Sequence, residues 1–312
     1  LGMPQARAES LDVDTTAYYH CISRCVRRAF LCGKDPYTGR DFDYRKEWVE
    51  ERLLSLSEIY AIDVYAYAVM SNHLHVVVKV DRSRADGWSD NEVTKRYSKL
   101  FRGARASLKD LPEATKSKRI AVWRERLWSL SWMMRSLNEW IARRANREDE
   151  CTGRFWEGRF RCQPLLDERA LMTCMAYVDL NPLRAGLCKS VAKSAHTSAK
   201  RRLEEVRPAG LARFEDEVRK RDRGRAIPLS RENYFALLDS TARGMRGQRL
   251  RELAETLEEL GIELKGWLGA MTPYGLHSAC VLGSAASVEE FAESRDKRWV
   301  RGKGAAEQLF GE

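Results

Sequence analysis

The sequence predicts an α+β fold in which helices flank an antiparallel sheet. Two strand-like runs, 62–70 and 73–80, are joined by Ser71 and Asn72, a connection typical of an antiparallel strand pair. Longer segments with apolar residues at helical spacing precede and follow this pair. Across the first 190 residues the predicted order is strand–helix–strand–strand–helix–helix–strand–helix, which is typical of an α+β layer fold.

The amino-terminal part begins with a polar stretch. Residues 1–16 lack the apolar centre of a secretory signal and are expected to form a flexible leader. Residues 17–25 are rich in aromatic and β-branched side chains and predict a strand, which a turn-rich loop over 30–41 follows. Apolar residues near helical spacing in 42–60 predict an amphipathic helix that packs on the sheet.

The middle part is more charged. Residues 81–120 are polar apart from a short helix predicted over 91–103, and residues 120–147 predict one long helix. The spacing of the tryptophans in this region suits helical packing, so we interpret them as core residues. They are Trp123, Trp128, Trp132 and Trp140.

Two further elements are predicted before residue 190, where the sequence becomes more charged and richer in short helical segments. The segment 153–160 predicts a strand or hairpin. Residues 167–182 predict a helix with Asp167 as its N-cap, which should end before Pro182 because proline disfavours helical geometry in the preceding residue. From residue 190 onward, short charged segments separated by Gly and Pro predict a helical C-terminal extension, 190–312, whose role the sequence does not reveal.

The excess of basic residues favours a polyanionic binding partner. The chain of 312 residues has 55 Lys and Arg against 45 Asp and Glu, a net charge of +10 and a pI near 9.2. Cations that approach phosphates release condensed counterions, so this balance favours a polyanion. No apolar run is long enough to cross a membrane. The eight cysteines, without an export signal, are expected to be reduced thiols in the cytoplasm.

The sharpest local feature is a pair of histidines in a predicted strand. His73 and His75 are two residues apart, and residues at that spacing point to the same face of a strand. Two adjacent imidazoles form half of a site for a divalent metal, although from this pattern alone a structural role stays open.

Three stretches of the sequence resemble the HUH endonucleases, in particular the single-tyrosine insertion-sequence transposases and, within them, the REP-associated tyrosine transposases. These stretches occur in the order that family shows, across roughly residues 17–187. They are Ala68–His75, Gly153–Phe160 and Ala176–Gly186.

The resemblance implies a ferredoxin-like HUH core over 17–189 and a set of reactive residues. Tyr177 would be the nucleophile, and His73 and His75 the metal ligands. Asn181, one helical turn after Tyr177, would be the third ligand, although its position before Pro182 also fits a helix end. The resemblance further implies Mg²⁺ or Mn²⁺ as cofactor and a 5′-phosphotyrosine intermediate that conserves the bond energy for rejoining.

The implied partner is single-stranded or hairpin DNA, held by a monomer or a homodimer associated with the nucleoid. Guanidinium and aromatic groups alternate in 153–161, a pattern that can hold phosphates and stack unpaired bases, or can equally place the aromatics in the core. The residues expected to contact DNA are Arg154, Arg159, Arg161, Trp156, Arg143 and Arg147.

Two alternatives stay open at this point. The chain could bind structured DNA or RNA without cutting it. It could instead be a metal-dependent hydrolase that combines the histidines with a carboxylate such as Asp63 or Glu157, in which case no covalent protein–DNA adduct would form.

Overall fold

The computed structural model describes residues 16–26, 32–34, 39–272, 275–276 and 279–310. The predicted leader, apart from Thr16, and part of the predicted loop 30–41 therefore lie outside the described residues. Within the described ranges the strands form one antiparallel sheet in the order β2-β3-β1-β4. The strands are β1 (Tyr18–Arg24), β2 (Ile62–Val69), β3 (His73–Val80) and β4 (Arg161–Leu165).

Helices occupy most of the remaining described chain, so the predicted α+β class is confirmed. Strand order and connectivity match the ferredoxin-like arrangement, with a helical connection after β1 and another after β3. The helices are α1 (Arg45–Ile59), α2 (Arg82–Asp86), α3 (Asp90–Leu100), α4 (Glu113–Trp128), α5 (Leu130–Glu148), α6 (Glu168–Asp179), α7 (Asn181–Arg184), α8 (Ser198–Glu204), α9 (Arg231–Gly244), α10 (Leu250–Glu259), α11 (Leu264–Ala270), α12 (Ala285–Glu293) and α13 (Lys303–Phe310).

The prediction of a single long helix over 120–147 is wrong. Ser129 has extended backbone angles (φ −75°, ψ 114°) and separates α4 from α5. Its carbonyl oxygen accepts hydrogen bonds from the backbone of Trp132 and Met133, so Ser129 starts a second helix instead of continuing the first.

The prediction of a strand or hairpin over 153–160 is also wrong. Phe155 and Trp156 are consecutive and both buried in the same core, whereas a strand would point them to opposite faces. Trp156 forms a single bridge with Cys25, and regular pairing begins only at Arg161.

The sheet is covered on both faces. Alternate residues of β3 point to opposite sides, so Leu74 and Val76 join α1, α4 and α5 in one core, and Val77 joins α6 in the other. The second core also contains buried residues of α9 to α13. Helix α6 therefore lies between the sheet and the C-terminal helices, which explains why all of its residues from Ala170 to Asp179 are buried.

The ends of α6 follow from local chemistry. Asp167 caps the helix as predicted, because its Oδ1 accepts the backbone N–H of Ala170 at 2.8 Å. The helix ends at Asp179, and Pro182 lies in the first turn of the short helix α7, where its missing N–H costs nothing.

Residues from 190 onward also reach both edges of the sheet. On the β2 side, Val64 forms a bridge with Leu211 and Ala68 forms one with Thr197. On the β4 side, Leu165 forms a bridge with Leu282. No helix in the described ranges is long and apolar enough to cross a membrane.

Candidate functional site

The site begins with histidines on the central strands. In β3, His73 and His75 share the face that α6 covers. In the neighbouring β1, His20 lies opposite Val77, and Ile22 lies opposite His75, so His20 is on the same face and diagonal to His75. Strand pairing therefore adds a third imidazole to the predicted pair.

The rings pack closely against one another and against a phenol. The centroids of His73 and His75 are 4.9 Å apart, and those of His20 and His75 are 5.1 Å apart with nearly parallel planes. The ring of Tyr177 lies edge-on to both, at 5.9 Å from His75 and 6.2 Å from His20. Residues far apart in sequence thus meet at one place on the sheet.

A hydrogen-bond relay sets the tautomer of His75. The side-chain nitrogen of Gln163 donates to the carbonyl oxygens of Leu276 and Ala279, both at 3.0 Å, so its Oε1 faces Nδ1 of His20 at 3.4 Å as an acceptor. Nδ1 of His20 must therefore carry the proton. In the neutral ring Nε2 of His20 then accepts from Nδ1 of His75 at 2.9 Å, which leaves the lone pair of His75 on Nε2.

His73 has the same tautomer for a different reason. Its Nδ1 lies 2.6 Å from Oδ1 of Asn72, which can only accept a hydrogen bond. In the neutral ring the lone pair of His73 is therefore also on Nε2. The turn that precedes it is held in place, because the carbonyl oxygen of Asn72 accepts from the backbone of Cys25 and that of Ser71 accepts from Cys32.

Tyr177 is buried beneath a guanidinium. Its side chain is 1% exposed, and the guanidinium carbon of Arg184 lies 3.7 Å from the centroid of its ring. Arg184 is held there through hydrogen bonds to the carbonyl oxygens of Thr272, at 2.9 Å, and Met271, at 3.4 Å. Burial lowers the pKa of Arg184 from its ordinary value, and the neighbouring Tyr177 opposes that shift.

Asn181 is buried, 7% exposed, and begins α7 directly after the helix that carries Tyr177. Its backbone carbonyl accepts from Ala185. Its side-chain amide forms no hydrogen bond with another residue in the described part of the chain.

The residues expected to contact DNA lie in three places. Arg161 is opposite Ile22, so it lies on the histidine face at the exposed end of β4. Arg154 and Arg159 are exposed in the irregular segment before that strand. Arg143 and Arg147 are exposed on α5, on the other side of the sheet.

The stacking role predicted for Trp156 does not fit its position. The residue is 9% exposed and packs edge-on against Phe155, at a centroid distance of 5.0 Å. Its indole N–H donates to the carbonyl oxygen of Asn138 at 2.8 Å. Both the ring and the polar atom are therefore used within the core, which corrects the prediction.

Asp63, one of the two carboxylates suggested for a metal-dependent hydrolase, is engaged away from the histidines. Asp63 forms ion pairs with Arg84 and Arg225, each at 2.8 Å. Among the described residues, no group of three or more His, Cys, Asp and Glu side chains is arranged to hold a metal ion. The two nitrogens of His20 face Gln163 and His75, so this ring does not complete such a group.

Sequence reasoning missed His20, Gln163 and Arg184 as parts of the site. A signal existed for His20, because it is at an alternate position of the predicted strand 17–25. Which face of the sheet it shares with His75 depends on the pairing of β1 with β3, which a single sequence does not show.

Comparisons with known proteins give one limited likeness. No family model and no curated protein matches the chain. A solved structure of a REP-associated tyrosine transposase bound to a REP hairpin is similar over 64% of this chain and 86% of that chain, with 13% identity and a TM-score of 0.35. At that identity and TM-score the comparison adds nothing to the fold assignment, which rests on the strand order and register of this chain itself.

Proposed function

We propose that the chain is a metal-dependent endonuclease or transposase that cuts and rejoins single-stranded or hairpin DNA through Tyr177. The observation that carries the proposal is that one phenol packs against the histidine pair. The ring centroid of Tyr177 lies 5.9 Å from that of His75, edge-on, and the centroid of His75 lies 4.9 Å from that of His73. These are the residues through which the sequence resembles the HUH endonucleases.

The chemistry follows from these parts. The phenolic oxygen of Tyr177 attacks the scissile phosphorus, the bond to the 3′ oxygen breaks, and the departing 3′-hydroxyl takes the proton. A later attack by a 3′-hydroxyl on the phosphotyrosine reverses the step without ATP. The positive charge of Arg184, 3.7 Å from the ring centroid, stabilises negative charge that develops on the phenol during attack.

In this proposal, His73 and His75 would supply two of the ligands of a divalent cation. His73 and His75 both have the lone pair on Nε2 in their neutral forms, so each can donate that lone pair to a metal. Asn181 follows Tyr177 in the sequence, and its amide oxygen would be the third ligand. Mixed nitrogen and oxygen ligation suits Mg²⁺ or Mn²⁺ at a site that phosphate oxygens complete. When bound, such an ion polarises a non-bridging oxygen of the scissile phosphate.

Access is the main physical requirement of this proposal. Because Tyr177 is 1% exposed and Arg184 covers one face of its ring, a DNA strand can reach the phenol only if the covering side chains, Arg184 among them, move aside. Binding of a phosphate would provide the driving force, since it offers the Arg184 guanidinium a stronger acceptor than backbone carbonyls.

The test is covalent trapping. The full chain is incubated with Mn²⁺ and a pool of labelled hairpin and single-stranded oligonucleotides, separated under denaturing conditions and mapped by mass spectrometry. We expect an adduct on Tyr177 that Tyr177→Phe abolishes while DNA binding persists. The matched control is Tyr44→Phe, which removes the hydroxyl of an exposed tyrosine on the other side of the sheet and should leave the adduct intact.

A second candidate, binding of structured nucleic acid without cleavage, is favoured by the burial of Tyr177 and by the lack of a complete metal-ligand group in the described ranges. It predicts salt-dependent affinity for hairpins and no adduct with any divalent metal. Adduct formation by the unmodified chain would rule it out.

A further inference from the structure

A basic groove lies on the face of the sheet opposite Tyr177. It has a volume of about 900 Å³ and is lined by α1, the end of α3, the end of α4 and one side of α5. Helix α5 packs on the sheet through Met133, Leu137 and Ile141, so its groove side is the outer one. The groove is therefore separate from the histidine site.

The lining carries a large excess of positive charge. One carboxylate, Glu139, faces six arginines: Arg52, Arg126, Arg135, Arg143, Arg144 and Arg147. Glu139 pairs with Arg135 and Arg143. In the described part of the chain, the other four arginines form no ion pair with a carboxylate. Confining this many like charges in one groove is unfavourable unless an anion compensates them.

Aromatic rings alternate with the guanidinium groups. Trp132 and Trp140 are two turns apart on α5, a rise of about 12 Å, and both are half-buried. The guanidinium of Arg126 lies 4.2 Å from the centroid of Trp132, and that of Arg144 lies 5.2 Å from the centroid of Trp140. Exposed Phe101 closes the groove at the end of α3.

We propose that this groove binds single-stranded nucleic acid, with phosphates on the arginines and unpaired bases stacked on the tryptophans or on the guanidinium planes. Charge alone would suit any polyanion. The alternation of flat aromatic and guanidinium surfaces favours a strand with exposed bases, because stacking contributes affinity that an acidic peptide or a closed duplex does not gain. The groove side of α5, from Trp132 to Arg147, extends over about 22 Å, enough for several nucleotides.

The inference does not depend on cleavage by Tyr177. A chain that fails the trapping test could still bind a strand in this groove, and a chain that passes it could lack this second site. The two proposals are separated when Tyr177→Phe leaves groove binding unchanged, because the phenol lies on the other side of the sheet.

The first measurement is fluorescence anisotropy of the full chain with labelled oligo(dT), oligo(U) and an abasic backbone of the same length. Arg144→Glu combined with Arg147→Glu should weaken binding of all three by more than about tenfold and reduce the salt slope by about 0.7 for each phosphate that the variant no longer neutralises. The matched control, Arg221→Glu with Arg251→Glu, reverses two arginines that are 75% and 92% exposed away from the groove, and should change affinity little.

The second measurement isolates stacking. Trp140→Leu should weaken binding of oligo(dT) and oligo(U) but not of the abasic strand. If the leucine variant unfolds at a lower temperature, Trp140→Phe, which keeps an aromatic ring, should retain the preference for the base-bearing strands over the abasic strand. Equal affinity of the groove and control variants, or displacement of oligo(dT) by poly-glutamate at matched charge, would overturn the proposal.

Discussion

His20 is the residue that most changes the interpretation of the candidate site. It connects His75 through Gln163 to backbone carbonyls of the C-terminal half, and so fixes which nitrogen of His75 carries the lone pair. A partner of this kind acts through the ligand it orients, and removal of such partners commonly lowers metal affinity by about 10- to 100-fold.

We therefore predict that His20→Leu raises the Mn²⁺ concentration needed for adduct formation by about tenfold or more. His20→Gln, whose carbonyl oxygen can still accept from His75, should retain most of the wild-type response. The measurement is a Mn²⁺ titration of adduct yield. Identical titrations for both variants would show that His20 only fills space.

Glu50 gives a prediction about acid stability. Burial opposes ionisation of this carboxyl, but hydrogen bonds from His196, at 2.9 Å, and Tyr67, at 2.5 Å, outweigh it and hold its pKa below the ordinary value of 4.5. The contribution of ionised Glu50 to the free energy of unfolding is fully present above about pH 4.5, and it is lost as the pH falls through the lower pKa of the folded state.

Thermal unfolding followed from neutral to acidic pH should therefore show a smaller acid-induced drop in Tm for Glu50→Gln than for the unmodified chain. The glutamine variant should be less stable at neutral pH, because it lacks the charge that His196 and Arg201 contact. Parallel curves for the two proteins across the acidic range would contradict the assignment.

The sequence predicts some site residues and misplaces others for identifiable reasons. His73 and His75 could be found because same-face spacing in a strand is a local property. Trp156 could not be placed, since an aromatic residue beside arginines looks the same in a core and in a stacking surface. Its indole N–H binds Asn138, which is 18 residues away in sequence, and only the folded chain shows that contact.

At the scale of elements, α11 and α13 cross at a glycine. A Cβ at Gly266 would lie 1.7 Å from the carbonyl oxygen of Gln308 and 2.6 Å from Cα of Leu309, so the two backbones touch there. Gly269, on the exposed side of the same helix, has no atom within 4 Å of such a Cβ.

Gly266→Ala should destabilise the chain by about 2 kcal/mol or more, because the backbones must separate. Gly269→Ala should instead stabilise it by about 0.5–1 kcal/mol, since alanine favours the helix and meets no obstacle. Chemical denaturation of both variants measures the difference, and equal effects would mean that the crossing is not tightly packed.

The sequence predicted elements correctly where the apolar residues alternate clearly along one strand. It failed where the same apolar spacing continues from one helix into the next. The strands 62–70 and 73–80 differ from the structure by at most one residue at an end. The break at Ser129 was missed because the apolar spacing continues through it, and only the backbone shows that the helix restarts. The continuous apolar character of 170–178 would have signalled burial on both sides of α6.

At the scale of the whole molecule, the C-terminal half completes the core around α6. Asp179, two residues after Tyr177, is fully buried and accepts from Tyr234 at 2.6 Å and from Ser198 at 2.5 Å. Burial raises the pKa of Asp179, and its neighbour Arg202 opposes that shift. Donors from beyond residue 190 thus satisfy a carboxyl of the helix that carries the nucleophile.

A chain that ends at residue 189 should therefore not fold cooperatively, because it exposes one whole side of α6 and leaves Asp179 without its partners. Circular dichroism and limited proteolysis would show a broad transition and rapid cleavage, against a sharp transition for the full chain. A truncated protein with a cooperative transition and an unchanged adduct yield would contradict this.

The bridges that Thr197, Leu211 and Leu282 make with the outer strands have a further consequence. They occupy backbone groups of β2 and β4 that an incoming strand from another molecule would need. We therefore expect proteolytic loss of the second half to expose both margins of the sheet to strand addition and to promote fibrous aggregation, which thioflavin T fluorescence after limited proteolysis would detect.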